Sequence, residues 1–92
     1  MNPEPSGVFV ATLEGREAAG APVLAVLAFA RAGDEAEAQA RAAAELSGFG
    51  WLDVRALRAS EVTDAGALPE DFRAAYETAL AYGCALIIYD EP

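Results

Sequence analysis

The sequence predicts an α+β fold, a two-layer sandwich in which one four-stranded mixed sheet carries two helices on one face. The predicted order is β-β-α-β-α-β. Three observations lead there. Bulky apolar runs recur at Gly7 to Glu14, Pro22 to Arg31, Trp51 to Ser60 and Cys84 to Tyr89. Two alanine-rich stretches with helix-start chemistry, after Asp34 and after Pro69, separate the later runs. The chain has 92 residues, too few to divide into halves that each bury a useful core. Residues 1–7 read as a flexible N-terminal arm and residues 8–92 as a single domain.

The arm, Met1 to Gly7, carries two prolines, a serine and a glycine. Gly7 to Glu14 (GVFVATLE) sets Val8, Val10 and Thr12 against Phe9, Ala11 and Leu13, the period of a strand. The small and polar stretch GREAAGA then turns the chain into Pro22 to Arg31 (PVLAVLAFAR), a second strand with its proline at the start. A short connection makes this pair a hairpin.

Asp34 is the expected N-cap of the first helix, and Glu37 three residues later completes a capping-box pattern. Gly48 is the expected left-handed stop. The inward stripe reads as Ala36, Ala40, Ala43 and Leu46, or a rotation of it by one position. In the third strand, Asp53 and Arg55 point one way, and Leu52, Val54 and Ala56 the other. In a regular strand Arg55 and Arg58 fall on opposite sides. After a loop over 61–68, Pro69 fits a helix's first turn, with Glu70 and Asp71 at its positive end. Phe72, Ala75, Tyr76, Ala79 and Leu80 form one apolar stripe. Gly83 closes that helix, CALIIY makes the last strand, and Asp90-Glu91-Pro92 ends in solvent. The strand–helix–strand unit from Pro22 to Ser60 resembles half of a ferredoxin-like architecture. The full element order departs from that fold, so the resemblance implies no function.

Composition narrows the chemistry. Fifteen acidic residues against six arginines give a net charge of −9. That balance argues against direct nucleic-acid binding and against an anionic membrane surface, both of which need clustered cations. The longest apolar run, Pro22 to Ala30, is far short of the ~20 residues of a membrane-spanning helix. Residues 1–5 show neither the basic nor the apolar region of a secretory signal. With Cys84 as the single cysteine, no disulfide forms within the chain, which points to a reducing compartment. The expected location is cytoplasmic, and an arginine-only basic set suits a GC-rich bacterial genome.

No histidine is present, which removes the commonest general base and metal ligand. One cysteine cannot build a zinc site. Cys84 opens an apolar strand and reads as a small hydrophobe. Asp34, Glu35 and Glu37 are explained by helix-start chemistry, without the spacing of a calcium loop. Gly48-Phe49-Gly50 neither follows a strand nor precedes a helix, so it is not a phosphate loop. No catalytic residue, metal or cofactor is expected.

The second and fourth strands are apolar on both faces. With two helices on one side, the other side would expose Leu24, Val26, Leu86 and Ile88, or Val23, Leu27 and Ile87 in the reverse register. Such a patch marks an interface. Trp51 and Tyr82 join those four as candidate partner contacts, because aromatics are enriched at interface centres. The leading functional expectation is a non-enzymatic protein-interaction module, self-associating through an apolar sheet face or an edge strand. Its partner would be another protein or a second copy. An alternative is an acidic inhibitor, of immunity, antitoxin or phage anti-defence type, that blocks a basic nucleic-acid-binding partner. A further alternative is a small-ligand sensor or carboxylate-based enzyme.

Overall fold

A computed structural model of the chain describes residues 7–89, apart from the side chain of Tyr89. Strands β1 (Gly7–Arg16) and β2 (Leu24–Ala32) lead into helix α1 (Glu35–Gly48) and strand β3 (Leu52–Glu61). A 3-10 turn at Ala65–Ala67, helix α2 (Glu70–Tyr82) and strand β4 (Cys84–Tyr89) follow. The α+β class, the element order and the four-stranded sheet with two helices are those read from the sequence. Gly7 already belongs to β1. The rest of the expected arm, and the expected solvated end Asp90-Glu91-Pro92, lie outside the described residues.

The sheet order is β3-β1-β2-β4, and each of its three pairings is antiparallel. The expected mixed sheet is therefore antiparallel throughout. β2 and β3 run in the same direction, but β1 lies between them, so no parallel strands touch.

The two helices use different faces. Along β1, Phe9, Ala11 and Leu13 pack with Val26 and Ala28 of β2 against Ala38, Ala42 and Leu46 of α1. The alternate residues Val8 and Val10 pack with Phe29, Ala85 and Ile87 against Phe72, Ala75, Tyr76 and Ala79 of α2. Successive strand residues point to opposite sides, so α1 and α2 lie on opposite faces of the sheet. This corrects the expectation of both helices on one face. The cause is topological. β3 and β4 are opposite edges, so α2 must carry the chain across the full width of the sheet. The face of Phe9, Ala11 and Leu13 is already filled by α1. Val8 and Phe9, adjacent in sequence, are both buried as a result.

The helices form where their ends are satisfied. Asp34 Oδ1 accepts from the Glu37 backbone N–H at 2.7 Å, and Glu37 Oε1 accepts from the Gly33 N–H at 3.2 Å. This is the expected reciprocal cap, with Glu37 reaching one residue further back than in the usual box. The buried stripe of α1 is Ala38, Ala42 and Leu46, while Ala36 and Ala40 face solvent. In a helix with alanine on every side, only Leu46 has the bulk to fix the rotation. α1 runs through Gly48, and the left-handed residue is Gly50 (φ 89°) rather than Gly48. α2 buries Ala75 and Ala79 but leaves Leu80 exposed. Pro69 is its N-cap, and Gly83 closes it at φ 99° with its N–H donated to the Ala79 carbonyl. That conformation strains any residue bearing a Cβ.

Candidate interaction surface

Among the described residues the sheet has two free edges, and the chain treats them differently. β3 is irregular. Thr12 pairs with Arg58 and the next residue, Leu13, pairs with Ala56, so Leu57 is an extra bulged residue. A second shift lies between Glu14 and Arg16, which pair with Arg55 and Leu52. Asp53 in that gap takes φ 54°, the only positive φ of a non-glycine among the described residues. The Leu57 bulge overturns the expectation for the two arginines. Arg55 opposite Glu14 and Arg58 opposite Thr12 share one face, and Arg55 Nη1 stands 3.4 Å from Glu14 Oε1. Asp53 accepts from Arg16 Nε at 3.1 Å. Charges and bulges along one strand are the means by which a sheet edge resists pairing with another chain.

β4 has none of these guards. Its six residues, CALIIY, carry no charge and pair with β2 in unbroken register from Cys84 to Tyr89. The Arg31 N–H donates to the Gly83 carbonyl at 2.9 Å, which fixes the phase of the ladder. Hydrogen-bonded and non-bonded pairs alternate in an antiparallel pairing. Ala85, Ile87 and Tyr89 therefore direct their backbone groups toward β2. Cys84, Leu86 and Ile88 direct theirs to the open edge.

The sequence-derived contacts divide along this geometry. Val26 is fully buried beneath α1 and is part of the core. Leu86 is half-buried against the same core, and Leu24 is half-buried at the start of β2. Ile88 is 45% exposed on β4, and Tyr82 is 85% exposed just before it. Trp51 packs on the core beneath α1, where a Cβ built on Gly15 would stand 3.2 Å from its ring. Of the alternate register, Val23 is exposed, Leu27 is half-buried, and Ile87 packs toward α2. The open apolar sheet face thus gives way to a covered face and an open apolar edge. The sequence reading missed the two bulges. Asp53 and the spacing of Ala56 and Ala59, both inward and three apart, were the available signals.

Cys84 lies on the α1 side of β4. Burial, assisted by Glu45 and opposed by Arg41, pushes its thiol above the ordinary value of 9.0. A raised pKa leaves the thiol protonated near neutrality. Among the described residues no polar or charged side chain is buried, no cavity is found, and no three metal-ligating side chains converge. No described helix is long and apolar enough to cross a membrane. No protein family, curated protein or solved structure matches this chain.

Proposed function

We propose that the chain is a non-enzymatic protein-interaction module that binds by extending its sheet at β4. The observation that carries this reading is the contrast of the two edges: β3 bulged and charged, β4 regular, uncharged and apolar. A chain that adds a strand to such an edge gains main-chain hydrogen bonds, and half-buried side chains at alternate positions give selectivity. The partner is another protein or a second copy, met in the cytoplasm, with no metal, cofactor, membrane or direct nucleic-acid contact involved.

Amide hydrogen exchange tests the reading. In dilute protein the outward amides of Leu86 and Ile88 exchange fast, while those of Ala85 and Ile87 are protected by β2. Raising the protein concentration, or adding host lysate, should slow Leu86 and Ile88 and leave Ala85 and Ile87 unchanged. If the two outward amides stay fast in both conditions, β4 is not a binding edge.

A second reading is the acidic inhibitor of a basic nucleic-acid-binding partner. It is favoured by the end of the sheet where Gly7 meets Ala32. There Asp34, Glu35, Glu37, Glu61 and Asp64 are all exposed, and none forms an ion pair among the described residues. Salt separates the readings. A charge-driven complex dissociates steeply as salt is added, whereas strand addition at an uncharged edge persists.

A further inference from the structure

We infer that the strand completing the sheet is the β4 of a second copy, paired antiparallel about a two-fold axis through Leu86. This rests on the reading of β4 as a binding edge and names its occupant. The ladder phase makes the edge self-complementary. Its outward residues, Cys84, Leu86 and Ile88, are spaced evenly about Leu86. Two antiparallel copies therefore place Leu86 opposite Leu86, and Cys84 of each chain opposite the partner's Ile88, all as hydrogen-bonded pairs. A register shifted by one residue would set outward groups against inward ones and form no ladder.

Charge complementarity favours the same occupant over an unrelated peptide. Two arginines bracket the Gly83 end of β4. The Arg31 Nη1 donates to the Leu80 carbonyl on one side, and a Cβ on Gly83 would meet Arg41 Nη1 at 3.5 Å on the other. Neither arginine pairs with a carboxylate among the described residues, although Glu45 also stands near Cys84. At the other end of β4 the sequence continues into Asp90-Glu91. Antiparallel self-pairing sets the Gly83 end of each β4, with its two arginines, beside the end of the partner's β4 from which the sequence runs on into Asp90-Glu91. The strand between them is uncharged, so no like charges oppose each other. The pairing is isologous and joins the two sheets into one of eight strands, with the guarded β3 edges outermost.

Two variants test the pairing by different routes. Ile88→Pro removes an outward N–H and leaves the β2 ladder intact. It should convert the protein from a dimer to a monomer by sedimentation, with unchanged circular dichroism. Leu86→Cys in a Cys84→Ser background sets two thiols on the axis. There a hydrogen-bonded pair has Cα atoms about 5.5 Å apart, within disulfide range. Mild oxidation should link it into a covalent dimer, whereas the wild type, whose Cys84 faces the partner's Ile88, should not cross-link. A wild type that stays monomeric to high micromolar concentration overturns the self-pairing. If lysate still protects Leu86 and Ile88, the binding-edge reading survives that result. A dimer that persists in Ile88→Pro while Leu86→Cys fails to cross-link places the second copy elsewhere and overturns the register. Should Ile88→Pro not fold, the cross-linking pair decides alone.

Discussion

Phe29 is fully buried on the α2 face and meets Phe72 edge-on, with ring centroids 5.8 Å apart and planes at 61°. It is the largest fully buried side chain of that face, packed among Val8, Val10, Ala75, Ala79 and the half-buried Tyr76 and Ile87. Its removal leaves a cavity that these neighbours refill only in part. Phe29→Ala should lower the unfolding free energy by about 3–5 kcal/mol in urea denaturation. A loss below about 1 kcal/mol would show that α2 collapses to fill the gap. Cys84 makes a prediction of opposite character. Its folded-state pKa is raised, mainly by burial, so above the ordinary thiol value of 9.0 the unfolded chain releases the proton first. Stability is unaffected by this group below that pH and falls as the pH rises through the window above it. Melting curves of wild type and Cys84→Ala should converge near neutrality once a constant offset is removed. At alkaline pH the wild type should lose more. A constant difference across the whole range would mean that the thiol titrates normally.

At the scale of elements, α1 is held by its start as well as by its face. Its buried stripe is two alanines and one leucine, which bury little area. The Asp34–Glu37 cap adds to what that face supplies. Asp34→Ala should cost about 1 kcal/mol, and Asp34→Asn a fraction of that, by thermal or urea unfolding. Equal losses for both would show that charge rather than the accepted hydrogen bond matters. The cap was legible because it is written in four adjacent residues, and the apolar runs were legible because alternation is local. The stripe on α1 was not: with alanine at Ala36, Ala40, Ala42 and Ala43, hydrophobicity does not mark a face. Nor was the side of the sheet taken by α2. β2 is apolar at Val26, Leu27, Ala28, Phe29 and Ala30, the mark of a strand covered on both faces. Its two coverings are α1 on one face and α2 on the other, with no partner needed for either. Of the six proposed contacts, Ile88 and Tyr82 remain exposed. Val26 was lost because burial on its face depended on where α1 settled.

The whole molecule is strongly acidic and has one unguarded sheet edge among its described strands, and the two properties act on different partners. A net charge of −9 repels further copies at a distance, while the edge governs what happens on contact. With β4 paired, the edges left among the described strands are the two β3 strands. If their bulges and charges are what stop growth, removing them should turn a closed pair into an open chain. Deleting Leu57 leaves Ala56 opposite Leu13 and Arg58 opposite Thr12, so the inward residues keep their faces and the strand becomes regular there. Combined with Arg55→Thr and Arg58→Thr, the deletion should preserve the far-ultraviolet spectrum. The molar mass by light scattering should then climb past that of a dimer with concentration. Adding Ile88→Pro to the same variant should cap it again at two copies, now joined through β3. If the deletion variant stays at the wild-type mass, the bulge and the arginines are not what guards the edge, and Asp53 with its left-handed backbone becomes the remaining candidate.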